Sequence, residues 1–497
     1  MKEVRLRFAP SPTGYLHIGG LRTALYNYLY ARGQKGKFIL RIEDTDRTRF
    51  VEDALENLIK VLDWSGLSYD EGPMLEDGKI VEKGNFGPYI QSDRKNAGIY
   101  DRYIQKLLDE DKAYYCFCSP ERLDKVREEQ RQKGETPRYD GHCRYLSKEE
   151  IEEKIKAKES YVIRLKLPKN LDLTFHDAIK GDITINTDEM DDQVLIKSDG
   201  FPTYHFAVVV DDHEMKISHI VRGEEWISST PKHIFLYDAF GWPRPEYVHL
   251  PTILGSDHKK LSKRTGDVAV EQFIAKGYTQ LGLINYIALV GWTPKGNQEI
   301  LSMDEMIEQF DFDRVSKTGG IYDVEKLNWV NQKYITEMPL EEASREVRKY
   351  LEAEGLVDES TPEEKIQMAT EIYQNRIEHF AQVPEMMKHL FVGSKGLFFN
   401  ESAKEALKEE EAKGLINLFE EKISTHDLTE DFANGVVKSL QKETGIKGKK
   451  LWFPVRAAVV GDTSGPDFGK TLLILGKKEI LARLELVKKE YVVEEEK

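Results

Sequence analysis

The chain has 497 residues, 40% of them hydrophobic and 32% charged, with a formal net charge of -15. That length exceeds the size at which one core stops growing, so two to four domains are expected, and the apolar content excludes a disordered chain. The acidic balance argues against a surface coated in positive charge for indiscriminate nucleic-acid binding and confines any RNA contact to local stripes of Lys and Arg.

Met1 to Arg7 holds no apolar run of signal-peptide length, and no later segment has 18 consecutive apolar residues, so a soluble, cytoplasmic chain with no membrane partner is expected. Val4 to Ala9 reads as a strand, Pro10 to Gly14 as a turn, and Ile18 to Tyr30 as a helix carrying Ile18, Leu21, Leu25 and Leu29 on one face. Lys37 to Ile42 reads as a second strand, followed by a helical stripe of Val51, Leu55, Leu58, Ile59 and Leu62. This rhythm is that of a parallel α/β sheet, and it places glycines at a helix N-terminus. After a helix from Ile99 to Leu108 the sequence turns charged and irregular until about Val194, which reads as an insertion. Strand-like runs then return at Tyr204 to Val210, His219 to Val221 and Tyr247 to Leu250, with a helix from Thr230 to Phe240, and close the sheet. From Glu271 onward the pattern is helical almost throughout, and the acidic end Val492 to Lys497 reads as a solvated tail.

Three constellations carry chemistry. In Ala9 to Gly20, prolines and glycines fix a strand-to-helix turn; Gly19 and Gly20 let a base or phosphate approach the backbone, and His17 stands where it could donate to a phosphate oxygen. Lys259 to Gly266 sets four cations in six positions around Ser262, which suits a loop that neutralises charge on departing pyrophosphate. Cys116, Cys118 and Cys143 cluster in an otherwise Cys-free chain, too few for a disulfide framework, and point to a reducing compartment and a tetrahedral zinc site. A fourth ligand could be His142, Tyr139 or Tyr145, and three reduced cysteines without metal are the alternative.

The first two segments resemble the paired signatures of class I aminoacyl-tRNA synthetases. The flanking stretches Arg41 to Asp46, Leu67 to Pro73, Lys197 to His205 and Val221 to Trp226 resemble bacterial glutamyl-tRNA synthetases in particular. In the helical half the likeness is looser and rests on Leu451 to Ala458 and Leu473 to Gly476. The resemblance implies a class I Rossmann-like parallel-sheet catalytic domain in two pieces, residues 1–97 and 194–253. An inserted α+β acceptor-binding domain would span 98–193, a basic-loop and stem-contact domain 254–335, and an all-α anticodon-binding region 336–497.

It implies ATP with Mg²⁺ as the nucleotide, held by Pro10, Thr13, Gly14, His17, Gly19, Gly20, Lys260, Leu261, Ser262, Lys263 and Arg264. His17, Lys260 and Lys263 would do the catalytic work. L-glutamate would be held by Arg7, Tyr204 and Arg222 at its γ-carboxylate and by Ser11 and Glu43 at its α-amino acid end, with Trp226 either walling that pocket or packing in the core. A structural zinc would take Cys116, Cys118, Cys143 and, on the family's Tyr-x3-Cys pattern, Tyr139. The partner implied is tRNA(Glu), with tRNA(Gln) left open, and the chain is expected to be monomeric. Gly20 stands where the signature has a second His, and Val208 where some members carry an Asn. A nucleotidyltransferase, a tRNA-modifying relative and a noncatalytic tRNA-binding protein are the competing readings; the helical half argues against the first two and the paired signatures against the third.

Overall fold

The computed structural model describes residues 3–46, 51, 53–261 and 268–491. It divides into two units: residues 1–273 with 283–324, and residues 274–282 with 325–497.

In the first unit, β1 (Arg5–Phe8) and β2 (Lys37–Leu40) pair parallel, Arg5 opposite Lys37, across helix α1 (Ile18–Gly33). Helix α2 (Ala54–Trp64) leads to the antiparallel hairpin β3 (Gly72–Glu76) and β4 (Lys79–Lys83). Gly72 has φ +139, and a Cβ there would come within 2.4 Å of the Leu40 carbonyl oxygen, so glycine lets β3 start against β2. Short helices α3 (Gln91–Asn96) and α4 (Asp101–Asp109) follow.

Strand β5 (Ala113–Cys116), helices α5 (Pro120–Gln132) and α6 (Lys148–Lys156), and strand β6 (Val162–Leu165) come next. The hairpin β7 (Asp172–Asp177) and β8 (Gly181–Asn186) precedes β9 (Val194–Ile196). Strands β5, β6 and β9 form a small antiparallel sheet. Helix α7 (Tyr204–Glu214), strand β10 (His219–Gly223), helix α8 (Thr230–Phe240) and strand β11 (Glu246–Leu250) complete the α/β part. β10 and β11 pair parallel, and β7 with β8 extends their sheet, giving the order β10-β11-β7-β8. Ser218 donates its backbone N–H to the Arg5 carbonyl, which ties the start of β10 to β1.

Helix α8 has the bounds its sequence punctuation dictates: Pro231 sits in the first turn, where its missing N–H costs nothing, and Gly241 closes the C-terminus at φ 71. The run Tyr204 to Val210, strand-like in sequence, is instead helical. All seven residues from Phe206 to Asp212 are buried, so this stretch of α7 has no polar face whose period would reveal it, and its β-branched valines read as a strand.

The second unit is all helical among its described residues, from the helix Leu340–Ala353 to the helix Phe468–Tyr491, which is interrupted at Gly476 (φ 79). Its apolar cores include Val347, Ile366 and Met387 in one cluster and Leu415, Phe419, Leu440, Val455 and Leu484 in another.

Candidate active site and cysteine cluster

A cleft of about 650 Å³ opens at the carboxyl ends of β1 and β10, where open α/β sheets bind their ligands. It is lined by Arg7, Pro10, Ser11, Thr13, Gly14, His17, Gly20, Glu43, Tyr204, Arg222 and Trp226, so residues separated by more than 200 positions in sequence meet there. A second hollow of about 430 Å³ shares His17, Gly20 and Glu225 with it and adds Gly19, Lys260 and Leu261. Ser262, Lys263 and Arg264 lie outside the described residues. The segment after them is tied to the glycine turn: Ile18 donates to the Val268 carbonyl and Val270 to that of Leu16. On the other side Leu261 donates to the Ile253 carbonyl. The glycine turn is therefore joined by backbone hydrogen bonds to the segment that follows the basic loop.

His17 is the N-cap of α1, and its Nδ1 accepts the Gly19 N–H at 3.0 Å. An accepting Nδ1 leaves the proton of the neutral ring on Nε2, which is the tautomer a phosphate donor needs. Gly20 has a packing reason beside any ligand, because a Cβ there would lie 2.8 Å from Leu16 Cδ1.

The inner wall of the cleft is built on alternating charge. Arg7, 3% exposed, places Nε 2.9 Å and Nη2 3.2 Å from the two Asp212 oxygens, and Asp212 also accepts from Arg41 at 2.7 Å. Arg41 in turn reaches Glu43 at 3.1 Å. Burial pushes the Glu43 carboxyl up, against the pull of Arg41 and Arg7, whereas Asp212, equally buried, is held below the usual range by those two guanidiniums. Two cations and two carboxylates cancel along this chain.

Arg222 is different. It is 6% exposed, and its partners are Tyr204 (3.3 Å), His233 (3.3 Å), His249 (3.1 Å) and Thr230 (2.8 Å). Burial lowers both His233 and His249, so these imidazoles are neutral at pH 7. Arg222 is thus a buried cation paired with no carboxylate among the described residues. Trp226 lines the cleft and packs on Tyr204 with ring centroids 4.2 Å apart, whereas Val208 is buried in the apolar core away from it.

Sequence reading missed Asp212, His233, His249 and Asp177, which surround the pocket from behind. A buried acidic pair, Asp211-Asp212, inside an otherwise apolar run was the one available signal.

Near the small sheet, the three thiol sulfurs all lie within 4.8 Å of one another, with Cys118 and Cys143 at 3.5 Å. The Tyr139 hydroxyl is 3.3 Å from Cys116 Sγ and 3.7 Å from Cys118 Sγ, while Tyr145 is 80% exposed and His142 is also at the surface. Sulfurs bound tetrahedrally at about 2.3 Å from zinc stand about 3.8 Å apart, which these spacings match. The hydrogen bond between Cys143 and Cys116 draws the Cys116 thiol down and pushes the Cys143 thiol up, so in the absence of a metal one sulfur of this pair carries the negative charge; Arg122 lies 3.5 Å from Cys118 Sγ.

Comparison with known proteins places this geometry. A family model described as tRNA synthetases class I (E and Q), catalytic domain, matches residues 3–329, and an anticodon binding domain model matches 342–488. The fold and cleft are those of a class I tRNA synthetase catalytic domain. The chain belongs to the glutamate and glutamine family of these enzymes. It is 54% identical over 486 residues to the glutamate–tRNA ligase of Finegoldia magna, covering 97% of this chain and 99% of that one. It is 51% identical to the enzyme of Alkaliphilus metalliredigens, covering 99% and 100%. A glutamate tRNA ligase from Elizabethkingia meningosepticum, solved in complex with its amino acid, superposes with a TM-score of 0.90 at 36% identity, covering 99% of this chain and all of that one.

Proposed function

We infer that the chain is a glutamate–tRNA ligase, which uses ATP to activate L-glutamate and transfers it to the 3′-terminal adenosine of tRNA(Glu). The observation that carries the substrate is Arg222: a buried guanidinium surrounded by neutral groups is costly unless an anion joins it, and the γ-carboxylate is that anion. Arg7, already neutralised by Asp212, adds hydrogen bonds more than net charge. Glutamine brings a neutral amide to the same place and leaves Arg222 uncompensated.

In the first step the α-carboxylate attacks the α-phosphorus of ATP and pyrophosphate departs; in the second the terminal ribose of tRNA attacks the acyl-adenylate. Ser11 and Glu43 face the α-amino acid end. His17 Nε2–H donates to phosphate, and Lys260, with Lys263 of the loop, neutralises the departing pyrophosphate together with the Mg²⁺ that ATP carries. Pro10, Thr13, Gly14, Gly19, Gly20, Leu261, Ser262 and Arg264 make up the rest of the nucleotide site in this reading.

Cys116, Cys118, Cys143 and Tyr139 would hold a zinc ion, whose part would be to cross-link and stiffen the segment 98–193 that grips the tRNA acceptor end. The helical unit reads the anticodon. Its cleft of about 410 Å³ is lined by Arg456, Pro466 and Phe398, the last 69% exposed, and offers an aromatic face and a guanidinium to a splayed base.

Charging assays with purified tRNA(Glu) and tRNA(Gln), and pyrophosphate exchange with and without tRNA, test this function. Glutamate-dependent charging of tRNA(Glu) is expected, with activation only once tRNA is bound; its absence would overturn the assignment. Lys263→Ala should slow exchange by orders of magnitude, and near-normal exchange would remove Lys263 from the site.

A further inference from the structure

Behind Arg222 stands a pair of fully buried residues that the mechanism above does not use. Asp177 ends β7, His249 lies in β11, and the two strands pair parallel with Tyr247 opposite Asp177. Asp177 Oδ1 accepts the backbone N–H of Ile179 at 3.0 Å and of Lys180 at 2.8 Å. Oδ2 accepts the His249 backbone N–H at 3.0 Å and lies 2.7 Å from His249 Nδ1. Burial pushes this carboxyl up, but the hydrogen bonds from His249 and from these amides outweigh it and hold it ionised. An ionised carboxylate has no hydrogen to give, so Nδ1 must carry the imidazole proton. Nε2 is then a bare acceptor, and Arg222 Nε stands 3.1 Å from it. Thr230 Oγ1 lies 3.2 Å from the same Nε2 and 3.0 Å from the Trp226 carbonyl, so its single proton has an acceptor on either side and its lone pairs receive Arg222 Nη2.

These contacts fix the guanidinium plane. Of its five N–H bonds, one meets His249, two meet Tyr204 and His233, and one meets Thr230; the last Nη2–H has no acceptor among the described residues. Tyr204 accepts from Nη1, so its own hydrogen points elsewhere, and Tyr204 lines the cleft with Arg222. One Nη2–H and one phenolic O–H are thus presented together, a pair of donors suited to two carboxylate oxygens.

We propose that His249, locked by Asp177 with its proton on Nδ1, is the positioning residue that fixes Arg222 against the substrate's side-chain carboxylate and thereby sets the preference for glutamate over glutamine. The proposal rests on the reading of Arg222 as the carboxylate-binding cation. Without an acceptor at Nε the guanidinium is free to turn and offer its fork to the amide oxygen of glutamine, so affinity for glutamate falls and discrimination falls with it.

The test uses the full chain, charging tRNA with glutamate or glutamine. His249→Leu removes the acceptor at similar volume, and His249→Gln restores one near the same place. His249→Leu is expected to raise KM for glutamate ten- to a hundredfold, leave KM for ATP unchanged and lower the glutamate-over-glutamine ratio in kcat/KM at least tenfold, with His249→Gln recovering most of the loss. A folded His249→Leu protein with an unchanged ratio overturns the proposal, since a residue that merely fills the core would alter both substrates alike. Histidine-selective ¹⁵N NMR of the unmutated chain reads the tautomer directly: a protonated Nδ1 and bare Nε2 are expected, and a protonated Nε2 overturns the proposal even if no variant folds. No glutamate-dependent charging by the unmutated chain would overturn the substrate reading and the proposal together, whereas the tautomer bears on His249 alone.

Discussion

Arg7 and Asp212 meet fork to carboxylate, with Nε and Nη2 each on its own oxygen, so one of the two guanidiniums lining the cleft is already paired within the fold. The same carboxylate holds Arg41. Asp212→Asn keeps the shape and removes the charge, leaving two buried cations with Glu43 as their nearest compensation. Breaking a buried pair in this way costs about 3–5 kcal/mol. Urea denaturation of the variant should register a loss of that size, and a loss below about 1 kcal/mol would show that Asp212 is not the hub of the network.

Arg222→Gln follows from the opposite situation. Removing a cation that has no carboxylate partner within the fold should leave stability nearly unchanged or raise it, because its burial is itself costly. Binding of glutamate, however, loses a charge-assisted contact of about 3 kcal/mol, close to a hundredfold in kcat/KM. Thermal unfolding and charging kinetics measured on one preparation separate the two effects. A variant that loses stability but not glutamate affinity would place Arg222 among structural ion pairs.

The pocket also makes stability depend on pH. Burial, with help from Lys232 and Arg222, lowers His205 from the usual 6.5 to about 4. The unfolded chain therefore binds a proton between those values that the folded chain refuses, and stability falls as pH drops from about 6.5 toward 4. At pH 5 the contribution of this one group is about 2 kcal/mol relative to pH 7.5. His205→Gln should reduce the difference in unfolding free energy between pH 7.5 and pH 5 by about that amount. An identical pH dependence in the variant would mean that His205 titrates normally in the fold.

What could be read from the sequence depended on how far apart the cooperating residues lie. The glycine turn was legible because strand, turn and helix are contiguous, and α8 because Pro231 and Gly241 mark its ends locally. The cysteines stood out by rarity, and the spacing from Tyr139 to Cys143 brought the hydroxyl beside the sulfurs. Helix α7 was misread because burial on nearly all sides erases the 3.6-residue period. The Asp177–His249 pair could not be read at all: it depends on β7 pairing with β11 across three intervening strands and two helices, a long-range register no local pattern encodes. Nor could the different states of Arg7 and Arg222, which are identical as letters and distinguished only by Asp212.

The cysteine cluster predicts a metal content. Protein purified without chelator should carry about one zinc per chain, and Cys143→Ala should abolish it, since structural zinc needs all its ligands. Tyr139→Phe removes only the hydroxyl beside Cys116 and Cys118, so it should weaken zinc retention against a competing chelator without eliminating it. Elemental analysis decides the matter, and a zinc-free native protein with full charging activity would assign the thiols to the core.

Arg456 makes the last prediction, in the helical unit. Its Nη2 donates to the Pro466 carbonyl at 3.0 Å and its guanidinium lies 4.8 Å above the Phe468 ring, while Nη1 is buried without a hydrogen-bond acceptor among the described residues. Gly465, at φ +152, admits the side chain, since a Cβ there would sit 2.8 Å from Nη1. A buried donor left unsatisfied costs about 1–3 kcal/mol, and the cleft beside it, with Phe398 exposed at its rim, can accept a base that satisfies the donor and stacks on the ring. Arg456→Ala should therefore raise KM for tRNA about tenfold or more and leave KM for ATP and glutamate as they are. Because the lost nitrogen is unsatisfied in the free protein, the variant should be no less stable than expected from losing one hydrogen bond and one ring contact, about 1–2 kcal/mol. An unchanged KM for tRNA, with stability lowered, would make Arg456 a brace for the Pro466 turn and move base recognition to another face of the helical unit.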